Sequence, residues 1–136
     1  MARPGGGEQL PLTVLCIDND ETILEGMTAL LGRWGVDCRV AVDVEGALHT
    51  LSTTHVDLIL ADYHLSDDMD GLGALRFLAE KLGAIPPAAM VTADGSTELK
   101  QRARALGYPL LHKPVRPAAL RALLVALVKR AGTSAA

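Results

Sequence analysis

Asp18, Asp62, Thr92 and Lys113 are side chains that could act together, because each stands at or just past the end of a short apolar run. The runs are Thr13–Ile17, Leu58–Ala61, Ala88–Val91 and Leu110–Leu111. Runs this short, bounded by polar residues, read as strands buried on both faces of a parallel sheet. In open α/β sheets, ligands collect at the carboxyl ends of the strands, so the four side chains would meet at one edge. Two carboxylates about 4 Å apart repel by roughly 4 kcal/mol at an effective dielectric of about 20. Asp18 and Asp62 therefore call for a cation, and a hard divalent ion with oxygen ligands suits them. Mg²⁺ is the natural candidate, since it accepts a few protein oxygens and keeps waters for an incoming phosphate. Lys113 would add a movable positive charge, and the Thr92 hydroxyl a donor to an oxyanion formed on Asp62. A nucleophilic Asp, a metal, a lysine and a hydroxyl are what phosphoryl transfer to a carboxylate needs.

Taken singly, each residue has a plainer explanation. Asp18 or Asp20 can cap the following helix, Thr92 can be an ordinary strand end, Lys113 a surface lysine, and Asp62 a solvated loop acid. Their joint placement at successive strand ends favours the chemical alternative. His64 and His112 lie near the same edge, but neither has a His or Cys partner at ligand spacing, so neither imidazole is expected to bind metal.

The elements that must position these residues follow from periodicity. Ile23, Leu24, Met27, Leu30, Leu31 and Trp34 recur at helical spacing, and Gly32 and Gly35 help close that helix. Val36–Val42 suggests a strand, interrupted by charges and so nearer the sheet edge. Asp43 can cap a helix through about Ser52. Helical spacing returns over Leu72–Leu82, ended by Gly83 and Pro86-Pro87, then from Ser96 or Thr97 to about Leu106. A last helix starts near Pro117 and runs to about Arg130. Strands alternating with helices in this way require a parallel sheet with right-handed crossovers and helices on both faces, an α/β fold. We expect a flexible lead-in over residues 1–11, one domain over 12–130 and a frayed tail over 131–136.

The chain has 136 residues, enough for one domain with a real core. Hydrophobic residues make up 49% but aromatics only 3%, so that core must be built from Leu, Val, Ile and Ala. A net charge of −3 argues against nucleic acid as the main partner. No apolar run approaches the roughly 20 residues that span a bilayer, and no leader pattern opens the chain. Cys16 and Cys38 fall in two expected strands without metal-ligand spacing and read as reduced thiols. The expectation is a cytoplasmic protein.

The acidic cluster Asp18-Asn19-Asp20, the strand-ending Asp62, Thr92-Ala93 and Lys113-Pro114 together resemble the receiver domain of two-component response regulators. The resemblance covers nearly all of Thr13–Arg130. It implies a flavodoxin-like (βα)5 fold, with a doubly wound five-stranded sheet in the order 2-1-3-4-5. It implies phosphoryl transfer from a histidine kinase or a histidine phosphotransfer protein onto Asp62, with Thr92 and Lys113 assisting. Mg²⁺ would be held by Asp18, Asn19, Asp62 and the main-chain carbonyl of His64, and the Lys113–Pro114 bond would be cis.

The chain also departs from the family pattern. Asn19 stands where a second metal-binding acid is usual, so it offers an oxygen without charge. The loop after Asp62 carries Ser66-Asp67-Asp68 in place of a frequent proline, and Leu110 replaces a common aromatic switch. Such features resemble receivers attached to hybrid histidine kinases, with output through a partner or neighbouring domain and no DNA-binding segment. The face formed by the fourth helix and fifth strand could support a homodimer. The chain is not a conventional enzyme on this view. Two alternatives stay open: a degenerate receiver used for docking, and a Mg²⁺-dependent phosphohydrolase.

Overall fold

The computed structural model describes residues 9–135, with side chains through residue 130, as strictly alternating strands and helices. In chain order these are β1 (Thr13–Ile17), α1 (Glu21–Arg33), β2 (Asp37–Ala41), α2 (Val44–Thr53) and β3 (Leu58–Asp62). Then follow α3 (Gly71–Leu82), β4 (Ala88–Thr92), α4 (Thr97–Ala105), β5 (Leu110–His112) and α5 (Pro117–Ala135). The sheet is parallel throughout, in the order β2-β1-β3-β4-β5, with the charged β2 at one edge as expected. This is the flavodoxin-like doubly wound α/β fold.

Side-chain oxygens start the helices. Asp20, Asp43, Asp70 and Ser96 accept the backbone N–H groups of Thr22, Gly46, Gly73 and Leu99, satisfying donors that a helix N-terminus leaves free. Asp20 is thus the cap of α1, which leaves Asp18 for other work. α5 runs to Ala135, past the end near Arg130 that the apolar spacing suggests, since no proline stops it there. Of the expected lead-in, residues 1–8 lie outside the described ones. Its last part belongs to the core: Leu10 is buried, and its N–H donates to the Trp34 carbonyl at 2.7 Å.

Strand alternation decides where the acids emerge. In β3, Ile59 and Ala61 join the core beneath α2 and α3, while Leu58 and Leu60 join the one beneath α1 and α5. Successive side chains point to opposite faces, so Asp62 continues the Leu58–Leu60 series. Asp18 likewise continues the series of Val14 and Cys16, and both carboxylates leave the sheet on the α1/α5 side.

Behind Asp62 the packing is close. The Gly71 N–H donates to the Tyr63 carbonyl at 2.7 Å, and an added Cβ would collide with the Asp62 carbonyl and with Met90 Cε. Gly71→Ala is therefore expected to cost about 1–3 kcal/mol. The loss should appear as a lower urea midpoint with an unchanged slope; an unshifted midpoint would mean that this contact relaxes freely.

Candidate functional site

Three strand ends bring the chemistry together. Asp18 follows β1, Asp62 closes β3 and Lys113 follows β5, and the register keeps those ends level: Ile17 pairs with Ala61, Asp62 with Val91, and Thr92 with His112. The Lys113 ammonium sits between the two acids, 3.1 Å from Asp18 Oδ2 and 3.2 Å from Asp62 Oδ1. Both acids are 5% exposed, so this is a buried charge cluster and not a surface ion pair. The second Asp18 oxygen accepts the Asp20 N–H at 2.9 Å, and the Asp62 carboxylate takes a backbone hydrogen bond from His64.

The cluster holds more negative than positive charge, and burial acts on its proton affinities as well. Burial, then the neighbouring Asp18, push the Asp62 carboxyl above the usual carboxylate range, against the opposing pull of Lys113. Burial alone would lower Lys113, but its hydrogen bond to Asp18 and the charge of Asp62 outweigh burial and raise it.

The other candidates sit differently. Thr92 is fully buried at the end of β4. Its hydroxyl accepts the Asp94 N–H at 2.9 Å and makes no hydrogen bond to Asp62 among the described residues. It touches the site through its carbonyl, which accepts the Lys113 N–H at 2.8 Å. Asn19 is exposed, and its Nδ2 donates to the Leu65 carbonyl at 2.7 Å, tying the loop after β1 to the loop after β3. The His64 side chain is exposed, with its ring edge-on to Tyr63. Ser66, Asp67 and Asp68 are exposed to solvent. The Lys113–Pro114 bond is cis.

Sequence reasoning missed two contacts. One is the Asn19 clasp on Leu65. The other joins the Tyr63 hydroxyl to Arg102 of α4, whose Nη1 donates to it at 3.1 Å. Both need the distance between separate loops or elements, which no local pattern carries.

Comparisons with known proteins give the family. The family model for the response regulator receiver domain matches residues 14–125. The chain belongs to that family. It is 31% identical over 120 residues to the sensor histidine kinase RcsC of Escherichia coli, a match covering 88% of this chain and 12% of RcsC. To the response regulator protein PilR of Pseudomonas aeruginosa it is 32% identical over 116 residues, covering 85% of this chain and 26% of PilR. It therefore spans only a small part of the curated relatives it matches. The receiver domain of a Francisella response regulator superimposes with a TM-score of 0.77 at 28% identity, covering 88% of this chain and 98% of that one. This is a receiver domain of two-component signalling.

The raised Asp62 carboxyl sets a sign for stability. The protonated form is favoured on folding, so its contribution is complete below the ordinary carboxylate range and is lost as pH rises through the raised value. Folding therefore disfavours the ionised form of Asp62 relative to the unfolded chain. Asp62→Asn should melt about 2–8 °C above the parent at pH 7, and the two should converge in acid. A variant that melts lower at neutral pH would show that Lys113 more than compensates for burial. Lys113→Met should do the opposite, leaving two buried carboxylates without a counter-charge. Its melting temperature should fall at pH 7 and recover as acid protonates Asp62; a deficit independent of pH would point to lost packing instead.

Proposed function

We propose that this receiver accepts a phosphoryl group on Asp62 from the phosphohistidine of a histidine kinase or histidine phosphotransfer protein. The observation that carries the proposal is the Lys113 ammonium held between Asp18 and Asp62 at one edge of the sheet. A lysine shared by two buried acids is a charge that incoming phosphoryl oxygens can recruit. A carboxylate oxygen of Asp62 attacks phosphorus in line with the P–N bond. That bond breaks, its electron pair returns to the partner's imidazole, and an acyl phosphate remains. Lys113 exchanges Asp62 for phosphoryl oxygen. The Thr92 hydroxyl, whose contact with Asp94 uses only its oxygen, has a proton to donate to another.

The donor set fits a hard divalent cation, because two buried carboxylates share one ammonium and the site offers oxygen ligands. Among the described residues no group of three or more His, Cys, Asp or Glu side chains stands where it could hold a metal ion by itself. Asp18, Asp62, the Asn19 amide and the main-chain carbonyl of His64 would hold Mg²⁺, with water completing the set. Bound there, the ion would neutralise charge on the phosphoryl oxygens. Asn19 brings no charge and already serves Leu65, which favours a modest metal affinity.

Phosphorylation replaces the single charge of the Asp62 carboxylate with about −1.5 to −2 on the phosphoryl group, enough to shift a pre-existing equilibrium of the surface around α4 and β5. RcsC is a sensor histidine kinase and PilR a response regulator. With Asn19 in the acidic cluster and Leu110 in β5, we place this receiver with those of hybrid kinases ahead of free-standing regulators, in the cytoplasm. No helix among the described residues is long and apolar enough to cross a membrane. A docking module without phosphorylation is the second reading, favoured by the Asn19 clasp.

Intact mass after incubation with acetyl phosphate and Mg²⁺ tests the proposal. The parent should gain one phosphoryl group, lost on chelation and absent in Asp62→Asn. A folded parent that gains none, from this donor or from a histidine phosphotransfer protein, would leave the docking reading.

A further inference from the structure

Further back along the same sheet, β1 and β2 bring two thiols into contact. Cys16 Sγ and Cys38 Sγ lie 3.8 Å apart, and the Thr28 hydroxyl of α1 is 3.6 Å from Cys38 Sγ. The two sulphurs differ in surroundings. Cys16 is 3% exposed within the core beneath α1 and α5, whereas Cys38 is half-buried on the edge strand. Placing charge on the inner sulphur would mean burying an anion among apolar side chains, so an anion on this pair settles on the outer one. There the Cys16 S–H can point at it. The Thr28 hydroxyl can turn from its helical acceptor, the Leu24 carbonyl at 2.8 Å, to do the same.

We infer that Cys38 is a covalent modification site for soft electrophiles, peroxides above all, with Cys16 positioning its sulphur as a hydrogen-bond donor. The proton affinities run in the same sense. The bond from Cys16 brings Cys38 down to about 7, so a large fraction is thiolate at neutral pH.

The step balances. The Cys38 thiolate attacks one oxygen of hydrogen peroxide, the O–O bond breaks, and hydroxide leaves to take up a proton as water. Sulphur is oxidised to a sulfenic acid and peroxide is reduced. The register argues against a second step to a disulfide. Cys16 pairs with Val40 and Cys38 with Val14, so the cysteines stand diagonally, two residues out of step. A strand spacing and two-residue rise put their Cα atoms roughly 8 Å apart, beyond the reach of an unstrained bridge.

The test is mass spectrometry of the full chain after brief exposure to hydrogen peroxide with dimedone present. One dimedone adduct should form, mapped to the peptide of Cys38, and Cys38→Ser should form none. Iodoacetamide alkylation of Cys38 should show a pH midpoint near that of its thiolate. The midpoint should rise in Cys16→Ala and return in Cys16→Ser, which keeps a donor. Thr28→Val, on an exposed helix face, should raise it by a smaller amount. An adduct on Cys16, no adduct, or a loss of two hydrogens without dimedone would each overturn the assignment. So would a midpoint in the ordinary thiol range in the parent.

Discussion

Two carboxylates buried side by side, with one ammonium between them, form the constraint on which the rest of this receiver depends. Taking each charge out of water costs several kcal/mol, and attraction offsets that only with good geometry. The geometry here is supplied by three strands that end at the same level. A slip of one residue in β3 would send Asp62 to the opposite face and leave Asp18 and Lys113 without it. The apolar register of the sheet and the polar site at its edge are therefore one requirement.

Neighbouring residues of the same type divide the work around that cluster. Asp18 and Asp20 are two positions apart, yet one is buried against Lys113 and the other caps α1 in solvent. Asn19 between them is exposed and donates to the Leu65 carbonyl. Asp62 and Tyr63 separate likewise: the carboxylate faces the site, while the phenol packs at the core rim and meets Arg102 of α4. Alternation along an extended chain sends adjacent side chains to different partners.

The same alternation couples the thiol pair to the acid site. Val14, Cys16 and Asp18 share one face of β1 and its continuation, and the Asp18 N–H donates to the Ala41 carbonyl at the end of β2, at 3.1 Å. The edge strand that carries Cys38 therefore also helps hold the loop that carries Asp18. β2 has a neighbour on one side only, which leaves its outer thiol reachable while the inner one stays dry.

Much of this was legible in the residues alone. Apolar runs ending in Asp18, Asp62, Thr92 and Lys113, alternating with helical periodicity, determined the α/β class and the edge where the polar side chains gather. Backbone hydrogen bonding and burial act locally enough to leave that pattern in the sequence. Caps were nearly as clear, though only the folded loop decided that Asp20, not Asp18, begins α1. Tertiary structure alone decided that Lys113 bridges both acids, that the Thr92 hydroxyl turns toward Asp94, and that Asn19 clasps Leu65. It also decided that Cys16 and Cys38 touch across a strand pair. Those facts depend on distances between segments far apart in the chain, set by sheet register and loop packing, and local periodicity holds no record of them.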